Sequence, residues 1–304
     1  MSRIIVHENP ELKRPVLIVA FAGWNDAGRS ATIAVEHLVG TWSASKFAEI
    51  NPDEFYDFTT VRPWANLGAD GQSNVTWPGS HLYAYRDPNG ELDAILLLGP
   101  EPALRWRTFT QEIVDLAKTY QVSMVVTLGA YLAEISHHDR VPISGWAWPK
   151  ALHERLKVVE VATVTYEGPT GILTVLASAL AEASVPVASL WAAVPGYLGP
   201  TPNPKAALAL ATCLERAFGM NLKLEDLAKS SDQFERKVTD ALQRVHALPG
   251  LAMYQAQAGD IQGSPTETNT AASPEGVAPD LPELPPAEEV IRNVEELLRQ
   301  NRDS

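Results

Sequence analysis

Residues 15–22 read Pro15-Val-Leu-Ile-Val-Ala-Phe-Ala22, an unbroken apolar run that stops at Gly23. A run this short is too brief for a buried helix and shows no alternation, so it predicts a strand covered on both faces. Such a strand needs a layer of helices above and below it. That requirement places the chain among α/β proteins with a central sheet.

The segments that follow fit this plan. Ala31, Val35, Leu38 and Val39 share one helical stripe. Phe55–Val61 alternates weakly and predicts a second strand, and Trp64–Gly79 reads as a long polar loop. His81–Arg86 and Leu92–Leu98 flank Asp87-Pro-Asn-Gly90, a sequence that favours a tight reversal and hence a hairpin. Further along, 102–120 reads as helix, 122–128 as strand, 158–165 as strand, 170–183 as helix, 185–194 as strand and 204–218 as helix. Alternation of this kind predicts a largely parallel sheet with helices on both sides. Residues 221–248 read as helix, with Ser230 and Gln233 in capping-box spacing and an apolar stripe running from Phe234 to Leu248.

Composition changes at Gln255. Up to Pro286 the chain is Gly, Ser, Thr, Pro, Ala and acid, with too little apolar surface to offset the entropy of ordering it. Beyond it, Val290, Ile291, Val294, Leu297 and Leu298 fall on one helical face. The expected organisation is an α/β domain over 1–250, with 221–250 as a helical extension. An acidic, Pro-rich linker over 251–286 and an amphipathic tail helix over 287–304 follow. That tail helix is too short to persist alone, so its stripe should dock on the body, a second subunit or a partner.

Charge and cysteine usage narrow the function classes. The formal net charge is −13 and no basic cluster interrupts it, which disfavours nucleic acid. One cysteine, Cys213, allows no internal disulfide and fits a reducing compartment. No window reaches the length of a membrane span, and Met1–Pro15 lacks the apolar core of a signal peptide, so the cytoplasm is expected.

Two glycine turns are candidate functional elements. Gly23-Trp24-Asn25-Asp26-Ala27-Gly28-Arg29-Ser30 joins a strand to a helix with the two-glycine spacing of a phosphate-binding loop. Arg29 stands where the phosphate-binding lysine belongs, and Asp26 puts a carboxylate inside the cradle, so a plain turn is favoured over a nucleotide site. Gly168-Pro169-Thr170-Gly171 again precedes a helix, whose free N–H groups attract anions. Glu101 and Glu167 lie at strand ends, where α/β folds place ligands. His137-His138-Asp139 has no third ligand at zinc-like spacing, and neither a catalytic set, a metal site nor a cofactor site is expected. Trp64, Trp77 and Trp106, from a total of eight tryptophans, lie in or beside loops with Trp146 and Trp148 and are candidate interface anchors.

Several segments, taken in order, resemble the proteasome assembly chaperone family in its second-subunit type, as a bacterial or archaeal-like member. They are Phe21-Ala-Gly-Trp-Asn-Asp-Ala-Gly28, Gly99-Pro-Glu-Pro102 with Trp106 and Phe109, Tyr166-Glu-Gly-Pro-Thr-Gly-Ile172, and Pro195-Gly-Tyr197 leading into Pro202-Asn-Pro-Lys-Ala206. The resemblance covers residues 4–245 and implies a three-layer α/β/α sandwich like that of purine nucleoside phosphorylases. It further implies a homo-oligomer, with a trimer expected, that binds proteasome α-type subunits without catalysis. Tyr197 joins the candidate interface on this basis, in a segment where related sequences often carry a histidine. Members can end in a hydrophobic–Tyr–any-residue docking motif; here the last residues are Arg302-Asp-Ser304, so a face-to-face contact is expected instead. The alternative is a protein or enzyme, a hydrolase or ligase, that binds a small molecule or anion in a pocket at the two glycine turns.

Overall fold

In this computed structural model, residues 3–68, 71–90, 92–164 and 166–246 are described. Packing divides the chain into Met1–Phe234 and Glu235–Ser304. The tail elements expected beyond residue 246 lie outside the described residues.

The first unit opens with β1 (Ile4–Val6), β2 (Val16–Ala22), α1 (Ser30–Thr41) and β3 (Ser45–Ile50). Next come β4 (Trp64–Leu67), β5 (Ser73–Thr76), β6 (Ser80–Tyr85), β7 (Ala94–Pro100), α2 (Trp106–Thr119) and β8 (Met124–Ala133). The chain continues through β9 (Ile143–Trp148), α3 (Lys150–Val158), β10 (Ala162–Thr163), α4 (Ile172–Glu182), β11 (Val187–Pro195), α5 (Pro204–Phe218) and α6 (Glu225–His246). From Glu235 onward, α6 belongs to the second unit, where Thr239 bonds back to the Glu235 carbonyl at 2.9 Å.

The described strands form a nine-stranded sheet in the order β1-β3-β6-β7-β2-β8-β11-β9-β10, with β4 and β5 as a separate hairpin. The strand predicted from residues 15–22 is β2, at its centre. It pairs in parallel with β7 from Val16↔Ala94 to Ala22↔Pro100, and in parallel with β8 on its other side. Alternate residues of β2 feed opposite layers. Ile18 and Ala20 face α1 and α5 with Leu96, Val126, Leu128 and Leu190. Leu17, Val19 and Phe21 face α2 and α4 with Ile95, Leu97, Val125 and Val187. Two cores on opposite faces of one sheet make a three-layer α/β/α architecture.

Several expectations are corrected. The sheet is mixed: β7, β2, β8 and β11 run parallel, whereas β1, β3 and β6 on one side and β9 on the other pair antiparallel. Residues 55–61 form no strand. Phe55 and Tyr56 are buried in an irregular segment, because the Tyr56 hydroxyl donates to the Pro100 carbonyl at 3.0 Å and bonds Ser80 Oγ at 2.7 Å. The polar stretch 64–79 is not an open loop but carries the β4–β5 hairpin. The β-branched stretch 158–165 gives up its start to the end of α3 and keeps only Ala162–Thr163 as strand. Ser230 does not cap a helix; α6 starts at Glu225, and the Ser230 hydroxyl donates back to the Asp226 carbonyl at 2.9 Å.

The core beneath α2 rests on aromatic edges. Phe109 is fully buried and meets Phe55 and Phe21 edge-to-face, with ring centroids 5.1 and 5.5 Å apart. Phe109→Ala is expected to cost about 3–5 kcal/mol in urea unfolding, because the cavity would open among rings that cannot relax into it.

Candidate functional site

The parallel strands β7, β2, β8 and β11 end along one edge of the sheet. The turns that follow them supply most of the residues singled out in the sequence. Asn25 and Asp26 point inward after β2 although they lie in a loop; Asn25 is 0 % exposed. The turn is tied to its neighbour by the Ala130 N–H, which donates to the Asn25 carbonyl at 2.8 Å.

Asp26 caps α1 from within. Its Oδ1 accepts the Ala31 N–H at 2.7 Å, and its Oδ2 accepts the Thr32 N–H at 3.2 Å and the Thr32 hydroxyl. The N-terminus of α1 therefore already holds an anion. Burial pushes the Asp26 carboxyl above the ordinary 3.8, although the bonds from Thr32 and Ala31 pull the other way. Gly28 turns the chain at φ +61°, and a Cβ there would lie 2.9 Å from the Thr201 carbonyl oxygen, so its glycine serves both conformation and space. Arg29 does not reach into the turn; it pairs outward with Glu36 at 2.9 Å.

The second turn is closed in the same way. Glu101, directly after β7, accepts the first N–H of α4, from Ile172, at 2.9 Å and the Asn25 side-chain amide at 2.6 Å, both on Oε1. Gly171 lies against the Asn25 carboxamide so closely that any side chain would overlap it. Gly168, Pro169 and Thr170 are exposed, and the Pro169 carbonyl accepts the Tyr166 hydroxyl at 2.9 Å. The structure thus joins the two glycine turns through Asn25 and Glu101. The sequence offered Glu101 as an unassigned carboxylate at a strand end, but nothing in it identified the partner.

Asn25 Oδ1 is buried beside Gly171 without a hydrogen-bond partner among the described residues, and around this centre the edge is aromatic. Trp24 is 66 % exposed, and beside it Tyr131 and Leu132 are exposed at the end of β8. With Trp191, Gly28 and Pro200 they line an open cleft of about 490 Å³. Trp191 lies over Gly129 of the neighbouring strand, where a Cβ would fall 2.6 Å from the indole, and its N–H donates to Ser189 Oγ at 3.0 Å. Tyr197, exposed after β11, accepts the His137 N–H at 2.7 Å and bonds His137 Nδ1 at 2.6 Å. Trp64, 71 % exposed, and Trp77 are on the β4–β5 hairpin, where Trp77 packs edge-on to Phe58 at 4.9 Å. That hairpin leaves from the same edge, since Ser80 at the start of β6 abuts Gly99 at the end of β7. Trp106 is different: half-buried against the core, it donates its indole N–H to the Pro102 carbonyl at 2.5 Å. Tyr131 and Leu132 were not singled out in the sequence, although the apolar run from Met124 continues past Leu128 into them. Among the described residues, no group of three or more His, Cys, Asp or Glu side chains is placed to hold a metal ion. Nor is any described helix long and apolar enough to cross a membrane.

The chain matches the PAC2 family over residues 20–242. It is a member of the PAC2 family. No curated protein matches it. Among solved structures, a proteasome-assembly chaperone homologue from Mycobacterium tuberculosis is 37 % identical with a TM-score of 0.69, covering 79 % of this chain and 99 % of that one. A PAC2 family protein from Streptomyces avermitilis is 38 % identical with a TM-score of 0.69 and the same coverage. PbaB from Pyrococcus furiosus, an archaeal proteasome activator, shares the fold at 18 % identity and a TM-score of 0.63, covering 79 % of this chain and 99 % of that one. The PAC2 match takes in both glycine turns, both internal carboxylates and the aromatic edge.

The Asp26 cap has a pH signature. Burial raises its folded-state pKa, so its favourable contribution is complete below about 3.8 and is lost as the pH rises through the raised value. In urea titrations, wild-type stability relative to Asp26→Asn should therefore fall across that window and level off above it. At neutral pH, Asp26→Ala should cost about 1–3 kcal/mol, because the Ala31 and Thr32 N–H groups lose their acceptor.

Proposed function

We propose that this PAC2-family chain acts as a non-catalytic, proteasome-assembly-chaperone-like scaffold that holds proteasome α-type subunits against the aromatic edge of its sheet. One observation carries the proposal. The N-termini of α1 and α4, which the two glycine turns precede, are already occupied by Asp26 and Glu101, whereas Trp24, Trp64, Trp77, Tyr131, Leu132 and Tyr197 present exposed aromatic and aliphatic surface. A centre that already holds two carboxylates and is accompanied by large exposed apolar side chains favours a protein partner over an anionic substrate. This ranks anion binding at the glycine turns second. The relation to the mycobacterial proteasome-assembly chaperone homologue supports the choice of partner.

The chain acts in this reading as a closed homo-oligomer, with a trimer the favoured form, working in the cytoplasm. Light scattering at micromolar concentration should report a multiple of the 33.0 kDa chain, and a particle of one chain mass would refute the oligomer.

Co-purification with unassembled α-type subunits of the same organism tests the partner. Wild-type protein should capture them, and Trp64→Ala should weaken capture by about 2 kcal/mol, roughly thirtyfold, without altering Tm. Trp77→Ala should weaken it at least as much, since loss of the contact with Phe58 also loosens the hairpin. Absence of capture by the wild type would dismiss the chaperone reading; capture that ignores both substitutions would move the interface off the hairpin.

A further inference from the structure

A second cleft, of about 520 Å³, opens within the first unit between the approach to β9, the end of α3, and one side of α5 and α6. Its main wall is written into α5. Lys205, Leu208, Ala209, Thr212, Cys213 and Arg216 recur at helical spacing and line the cleft, while Ala207, Leu210, Ala211 and Leu214 bury the other side of the helix. Val141, Ile143 and Val159 complete an apolar floor.

The polar groups in this wall are unequally engaged. Arg140 spends its guanidinium on Glu160 at 3.3 Å, and Lys205 donates to the His137 carbonyl at 2.6 Å. Arg216 makes no hydrogen bond or ion pair among the described residues, and neither does the Thr212 hydroxyl one turn before it on the same face. Ser231 of α6 is only 5 % exposed, lines the same cleft and likewise makes no hydrogen bond among the described residues. Its neighbour Ser230 satisfies its own hydroxyl on the helix backbone. Arg216 is exposed, and its guanidinium and the hydroxyls of Thr212 and Ser231 keep their donors available on the cleft wall. Cys213 adds an inert surface, its thiol pushed up to about 11 by burial.

Unspent donors above an aliphatic floor fit a ligand with an acceptor-only anionic head and a hydrocarbon body. We infer that this cleft binds the anion of an aliphatic carboxylic acid, with the carboxylate on Arg216 and the hydroxyls of Thr212 and Ser231 and the chain along Leu208, Ala209 and Ile143. The site is separate from the aromatic edge and does not rest on the partner proposed for it.

Calorimetric titration of the full chain with octanoate, 1-octanol and acetate tests the assignment. Octanoate should bind with a Kd on the order of 0.1 mM, and the two controls at least about tenfold more weakly, since each lacks one half of the recognition. Arg216→Met, at an exposed position, should leave Tm unchanged and weaken octanoate about tenfold while sparing 1-octanol. Ala209→Phe should fill the cleft and block both; should it fail to fold, Arg216→Met decides alone. No octanoate binding at about 5 mM would overturn the inference. So would equal affinity for octanoate and 1-octanol that ignores Arg216→Met, which would mean nonspecific partition of hydrocarbon.

Discussion

A helix leaves unbonded N–H groups at its start, and the starts of α1, which follows the parallel strand β2, and of α4 are linked here through Asn25 and Glu101. In many α/β proteins that polarity is the ligand site. This chain places its own carboxylates there, Asp26 on α1 and Glu101 on α4, and the buried Asn25 next to Asp26 in the first turn donates its amide to Glu101. Much else follows. Gly171 must lack a side chain to admit Asn25, and Gly28 must turn back against Thr201 so that Asp26 can face its helix. Trp24, between Gly23 and Asn25, is held outward on a turn that is anchored on both sides.

The central part of this fold was legible in the sequence because its signals are local. β2 announces itself by an apolar run, α5 by Asn203 and Pro204 at its start, and the β6–β7 hairpin by Asp87-Pro-Asn-Gly90. The peripheral strands were not legible, and the reasons are physical. β3 carries Ser45, Lys46 and Glu49 and breaks its own alternation with an irregularity between Lys46 and Ala48. β9 contains Gly145, which reads as a strand breaker but is required there, since a Cβ would meet the Ser189 carbonyl of β11 at 2.6 Å. Phe55 and Tyr56 look strand-like by composition, yet a tyrosine hydroxyl bonded to a strand end buries them without any ladder.

The candidate site divides in the same manner. Asp26 stood out as a carboxylate misplaced for a phosphate loop, which is a local observation. That it serves the helix it precedes requires a turn tight enough to bring it back onto Ala31 and Thr32, five and six residues on. Glu101 reaches Asn25 and Ile172 across 76 and 71 residues, and spacing along the chain carries no trace of such a pairing. The assembly of Trp24, Tyr131 and Tyr197 on one edge is likewise a product of parallel topology, which gathers strand ends that are distant in sequence, and the Trp64–Trp77 hairpin joins them because β6 starts at that edge by pairing antiparallel with β7.

The outer strands of the large sheet have a consequence for how this chain can meet other chains. On one side the sheet ends in β1, of three residues, and on the other in β10, of two. An unpaired border that short offers too few backbone donors and acceptors to template another strand, which is how natural sheets avoid open-ended stacking into fibres. Growth by backbone continuation is blocked at both margins. Association across the margins of this sheet is therefore left to side chains, where each contact can be altered one residue at a time without disturbing the ladder beneath it.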